Sequence, residues 1–219
     1  MKISFLCSDA SHPVNAHLEH WISRNEALHD ISLVRRKSEL PGGDILFLIS
    51  CSEIVSGKDR SAYRASLVLH ASDLPRGRGW SPHIWGILNG AETITLSLIE
   101  AEDKVDTGRI WKKLAISVPK HALWDEINTR VFQAEIELID FAVAHIADIV
   151  PAAQAADIEP TYFRRRAPED SKLNAEASLA AQFDQIRVCD PNRFPAFFDL
   201  RGHRYKLTLE KIDDEPDHH

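Results

Sequence analysis

Residues 44–51 read Asp-Ile-Leu-Phe-Leu-Ile-Ser-Cys, an almost unbroken apolar run of strand length. A strand with apolar residues at successive positions has no side left for water, so it belongs in the middle of a sheet covered on both faces. Shorter apolar runs accompany it at Ile3–Cys7, Ile31–Val34 and Leu67–Leu69. Between the first two of these, Val14–Ile22 repeats its apolar residues at helical spacing. Strand and helix patterns in alternation predict parallel strands joined by helical crossovers.

The expected fold class is α/β: a Rossmann-like, mostly parallel sheet with flanking helices. After Leu69, Ser81 is a candidate N-cap, Pro82 suits a first helical position, and Gly90 can end a short helix carrying Trp85, Ile87 and Leu88. Thr93–Ile99 and Ile110–Val118 read as two strands that can pair as a hairpin-like extension of the sheet. The longest helix is expected over His121–Ile149, where Leu123, Ile127, Val131, Leu138, Ala142 and Ile146 follow the helical period and Pro151 stops it. A boundary near residue 150 divides the chain into a core, 1–150, and a C-terminal extension, 151–219. The extension is expected to hold a helix at Ala175–Arg187 and a β-hairpin whose strands, Phe194–Leu200 and Tyr205–Leu209, flank Gly202.

A net charge of −7 disfavours a broad nucleic-acid footprint, which needs basic side chains on one face. Cys7, Cys51 and Cys189 are isolated and odd in number, without metal-ligand spacing, so no metal is expected and a reducing, cytoplasmic setting fits. Met1–Leu6 is too short an apolar run for a signal peptide and reads better as the first strand. No run approaches the roughly 20 apolar residues of a membrane span, and no membrane partner is expected. His218 and His219 resemble a tag remnant and carry no weight.

The chemistry-bearing residues cluster after the strand that ends at His70. Ligands of open parallel sheets bind beyond the carboxyl ends of the strands, where this imidazole is delivered. Asp106 arrives in an acidic loop after another apolar strand, and the two make a candidate proton-transfer pair. A lone histidine can equally serve only to hydrogen-bond the following turn. Arg76-Gly77-Arg78-Gly79 suits a ligand loop or a plain solvated turn. Arg164-Arg165-Arg166 suits phosphate or carboxylate contacts, or an exposed charged strand. Trp80 and Trp85 read as packing residues, though one at the rim could stack on a flat ligand. The turn after the first strand, Ser8-Asp9-Ala10-Ser11-His12-Pro13, lacks the dinucleotide fingerprint, and no P-loop occurs.

In order, His70, Ser72, Leu74-Pro75, Arg78-Gly79, Pro82 and Asp106-Thr107-Gly108 resemble the signature of the N10-formyltetrahydrofolate-dependent formyltransferase family. That family includes methionyl-tRNA formyltransferases and sugar N-formyltransferases. Tyr162-Phe163-Arg164-Arg165-Arg166, Pro168-Glu169-Asp170 and Pro195-Ala196-Phe197-Phe198 resemble its post-catalytic segment. One departure stands out: the family carries Asn two residues before the histidine, and this chain has Val68.

The resemblance implies the formyltransferase fold, with 1–150 as the catalytic core, and N10-formyltetrahydrofolate as co-substrate. It implies His70 and Asp106 as catalytic residues. Ile49, Ser50, Cys51, Glu102, Asp103 and Asp106 would surround the folate, largely through backbone groups. Ser72, Arg76, Arg78, Trp80, Arg164, Arg165 and Arg166 are the candidates for the second substrate. The wording from Leu69 to Pro82 is most similar to a short subgroup that formylates amino sugars. A nucleotide-linked amino sugar is the expected acceptor, because a tRNA reader would carry a further C-terminal domain and a basic face. Initiator tRNA, and a folate-binding protein with altered catalysis, are the alternatives. A homodimer is left open.

Overall fold

The computed structural model describes residues 1–212; His218 and His219 lie outside the described residues. In chain order the elements are β1 (Lys2–Leu6), α1 (Val14–Asn25), β2 (Asp30–Val34), β3 (Gly43–Leu48), α2 (Gly57–Arg60), β4 (Tyr63–His70), β5 (Arg78–Gly79) and α3 (Pro82–Leu88). Then follow β6 (Thr93–Glu100), β7 (Ile110–Ser117), α4 (Trp124–His145), β8 (Tyr162–Phe163), α5 (Phe183–Arg187), β9 (Ala196–Leu200) and β10 (His203–Leu207). Six strands form one sheet in the order β2-β1-β3-β4-β6-β7. The first four are parallel, β6 runs antiparallel to β4, and β7 antiparallel to β6 as the expected hairpin.

One face of the sheet carries the main core, where Phe5, Phe47, Leu67 and Leu98 meet Leu18 and Trp21 of α1 and Leu138 and Ala142 of α4. Phe5 stacks on Phe47 at 5.2 Å and takes Trp21 edge-on at 5.4 Å. The Trp21 indole N–H donates to Asp140 of α4 at 2.7 Å, so the polar tip of this aromatic is satisfied inside the helix pair. On the opposite face a smaller cluster of Leu6, Leu46, Val55 and Tyr63 packs under the loop after β3. His70 and Val68 alternate onto that face, away from Leu67 and its core neighbours.

Three expectations shift. β3 ends at Leu48 rather than Cys51: Ile49 still donates its N–H to Leu6, but Ser50 turns to a left-handed φ of 47° and leaves the ladder. Ser81 does precede α3, but at φ 47° and without a side-chain capping bond. The helix expected over Ala175–Arg187 contracts to a 3₁₀ turn at Ala180–Gln182 followed by α5. There, Asn174 accepts the N–H of Glu176 on its side chain, and Gln182 donates back to the Asn174 and Ala177 carbonyls. Such local side-chain bonds compete with the helical ladder. The terminal hairpin forms from β9 and β10, with Phe198 stacked on Tyr205 at 5.5 Å.

Candidate active site

β4 carries His70 at its last position, and the chain then folds into a tight loop over the strand end. The loop is fastened at both sides. Ser72 donates its N–H to the His70 carbonyl at 2.9 Å, and Ser97 of β6 donates its hydroxyl to the Ser72 carbonyl at 2.7 Å. Lys113 of β7 reaches Asp73 at 2.6 Å and the Leu74 carbonyl at 2.8 Å.

Within this frame His70 is 7% exposed, with an oxygen beside each ring nitrogen. Its Nε2 lies 2.9 Å from the Gly77 carbonyl, which can only accept, so Nε2 carries a proton. Its Nδ1 lies 3.4 Å from Oδ1 of Asp106, itself 8% exposed. Nδ1 therefore faces a carboxylate oxygen at ion-pair rather than hydrogen-bonding distance.

Asp106 is held as firmly. Its backbone adopts φ 58°, a sparsely populated region for a residue with a side chain, and neighbouring groups over-determine it. The Gly79 N–H donates to its second carboxylate oxygen at 2.8 Å. Gln154 donates to the Asp106 carbonyl at 2.8 Å and the Gly108 carbonyl at 3.0 Å. Gly108 lies against the backbone of Glu100, where a Cβ would run into the Glu100 carbonyl. Only glycine lets the loop pass that point and return Asp106 to His70.

The other candidates fall into three groups. Ile49 is buried in the core, leaving only its backbone for a ligand, whereas Ser50 is exposed at the strand end. Cys51 donates weakly to the Glu53 carbonyl at 3.4 Å. Across from them Glu102 is exposed, and Asp103 accepts from Arg60 at 2.7 Å. Arg60 also donates to the Val55 carbonyl at 2.7 Å and so ties the loop after β3 to the loop after β6.

The basic candidates divide sharply, against the expectation that all would face a second substrate. Arg78 is buried, donating to Gln154 at 2.7 Å and to Tyr162 at 3.1 Å, so it supports the site from behind. Arg164 forms a forked ion pair with Asp170 and lies over Trp85 at 4.9 Å. Arg166 donates to Ser171 at 3.1 Å. Ser72 is buried, with its hydroxyl packed beneath Gly77. That leaves Arg76, which is exposed, and Arg165, which lies 5.0 Å over the exposed ring of Trp80.

Sequence reasoning passed over Gln154, Thr161 and His12. Gln154 is the one polar side chain in the stretch Pro151–Ala156, a signal that was readable. Thr161 accepts the Gly77 N–H on its hydroxyl at 2.8 Å, and its carbonyl accepts the Arg78 N–H at 2.9 Å. Nothing in its sequence neighbourhood marks it.

The sheet carries a buried His–Asp pair at its strand ends, and the turn after β1 holds neither the dinucleotide fingerprint nor a P-loop. Residues 7–143 match the family described as Formyl transferase, and the chain belongs to that family. A methionyl-tRNA formyltransferase from Rickettsia bellii is 28% identical over 174 residues, which cover 78% of this chain and 56% of that protein. The chain therefore spans little more than half the length of this relative. The methionyl-tRNA formyltransferase from Clostridium thermocellum superposes with a TM-score of 0.81 at 23% identity, over 97% of this chain and 94% of that one. A sugar N-formyltransferase from a Shewanella species superposes with a TM-score of 0.72 at 15% identity, over 98% and 99% of the two chains. At these identities the superpositions speak for a shared fold.

Proposed function

We propose that this chain transfers the formyl group of N10-formyltetrahydrofolate to the primary amine of a nucleotide-linked amino sugar. The observation that carries the reaction class is the buried His70–Asp106 pair, 3.4 Å apart, in a chain of this family. In such a transfer the amine attacks the formyl carbon, a C–N bond forms, and the bond to the donor nitrogen breaks. The amine loses one proton and the donor nitrogen gains one. A buried pair that takes up a proton and returns it therefore ends the cycle unchanged. The Asp106 carboxylate offsets the charge of the ring while it carries that proton.

The surroundings suit both substrates. Ile54 and Val105 are 75% and 62% exposed on the two loops joined by Arg60, and give apolar surface for the flat rings of a folate. On the other side, Trp80 offers a face for a base, and Arg165 and Arg76 offer guanidinium groups for a diphosphate. This reading treats 1–150 as the catalytic core and 151–219 as the acceptor-side extension. Initiator tRNA is the second reading, and the names of the relatives favour it.

The test supplies N10-formyltetrahydrofolate with uridine- and thymidine-linked amino sugars or with charged initiator tRNA. Turnover of a sugar supports the proposal. Formylation of the tRNA, with every sugar untouched, moves the assignment to the second reading. Donor binding by calorimetry without transfer to either leaves a folate-binding module.

A further inference from the structure

We propose that the Ser50 hydroxyl supplies the hydrogen bond to the developing oxyanion that position 68 cannot give, with His12 aiming its proton. The inference rests on the acyl-transfer reading above. That reaction needs a donor facing the formyl oxygen, and two obvious sources are closed. Val68 has no polar atom. His70 has Nε2 on the Gly77 carbonyl and Nδ1 against Asp106.

Ser50 stands in the right place. β3 and β4 run parallel with Leu48 beside Val68, so Ser50, two residues past Leu48, lies at the carboxyl edge of the sheet where His70 ends the neighbouring strand. Ser50 is exposed, and it is one of four non-glycine residues with positive φ among the described residues. Asp106 is another. Strained backbone of this kind persists where surrounding structure enforces it, and functional sites are where it gathers.

The proton on Ser50 has a defined direction. The Val14 N–H donates to His12 Nδ1 at 3.2 Å, so Nδ1 is an acceptor and the ring proton sits on Nε2. His12 Nε2 is 3.1 Å from Ser50 Oγ and therefore donates to it. Ser50 is thereby fixed as an acceptor towards His12, and its own hydrogen has no partner among the described residues. Burial, with the Arg193 charge adding to it, holds the His12 ring down to about 4, so it stays neutral and keeps this tautomer at neutral pH. Two further serines near this strand end are closed off. Ser66 and Ser72 have fully buried oxygens, and that of Ser72 lies beneath Gly77.

The test compares Ser50→Ala and Ser50→Gly, the latter suited to the positive φ, with Val68→Asn added to each. Loss of the donor is expected to lower kcat by about 10²-fold, with folate affinity by calorimetry and melting temperature near those of wild type. Adding Val68→Asn should restore much of the lost kcat, since an amide then faces the same oxygen. Nitrogen-15 NMR should show the Nε2–H tautomer for His12, with its ring signal moved in the Ser50 variants. Folded Ser50 variants with wild-type kcat, or an Nδ1–H tautomer for His12, overturn the inference while the transfer reading stands. Wild-type protein that formylates no acceptor sinks the transfer reading, and this inference with it.

Discussion

His70 illustrates how much a single side chain is told what to do by its neighbours. A carbonyl on one nitrogen and a carboxylate beside the other fix how its ring stands. In the proposed transfer His70 and Asp106 serve one proton, so their losses should not add. His70→Ala and Asp106→Asn are each expected to abolish most turnover, and the double variant to fall little further, with donor binding retained. Single-turnover rates together with calorimetric folate titrations check this; near-normal kcat in either single variant would refute the pair. Gln154 invites a milder change. Gln154→Ala frees two carbonyls of the Asp106 loop and one partner of Arg78, so kcat should drop about tenfold while the fold survives.

At the scale of elements, β5 and β8 show how the site is braced from outside the main sheet. Their parallel pairing brings Gly79 against Phe163, and a Cβ at Gly79 would strike the Phe163 carbonyl. Gly79→Ala should part the two strands, take the N–H away from Asp106 and cost about 1–3 kcal/mol, read by denaturant unfolding beside a loss of kcat. Buried titratable groups set a pH dependence of opposite signs. His12 and His83 are both held down to about 4, chiefly by burial, from an ordinary 6.5. Between those values the unfolded chain binds protons that the folded one refuses, so stability falls as pH drops through that window. Glu135 of α4 is pushed up to about 8 by burial from an ordinary 4.5. The folded chain keeps a proton there that the unfolded chain releases, so stability falls as pH rises from about 4.5 to 8. Glu135→Gln should flatten that upper slope in melts between pH 6 and 9; an unchanged slope would mean Glu135 is not its source.

The six strands of the main sheet were readable from their apolar runs, whereas the two-residue strands β5 and β8 carry no such run. That His70 and Asp106 could meet was readable because one ends an apolar strand and the other lies in the loop after the next. What stayed hidden depends on contacts between distant positions. The early end of β3 turns on the backbone of Ser50, while Ile49 beside it remains buried like any strand residue. The division among Arg164, Arg165 and Arg166 depends on Asp170 and Ser171 reaching back to two of the three. A run of three arginines looks uniform until those partners are placed.

For the whole molecule, that division yields a contrast. Arg165 lies over exposed Trp80 with no acidic partner among the described residues, whereas Arg164 is committed to Asp170. Arg165→Ala should raise KM for the acceptor and leave KM for the folate unchanged, with a shallow salt dependence. Arg164→Ala should instead loosen the segment it pins, read as faster proteolysis after residue 160 with smaller effects on KM. Equal effects of the two substitutions on acceptor KM would remove Arg165 from the acceptor site.

The stretch from Ala152, bridged to Ile110, through Gln154 and Thr161 to Phe163 lies across the site before the chain moves off to α5 and the hairpin. Chimeras meant to exchange acceptor preference between relatives are naturally spliced where the long helix stops. A splice there would hand the Asp106 loop a foreign glutamine position and a foreign threonine, and the hybrid would lose rate along with its old preference. A junction placed after Phe163 leaves those supports with the sheet they serve, so the graft spares the bracing of the Asp106 loop.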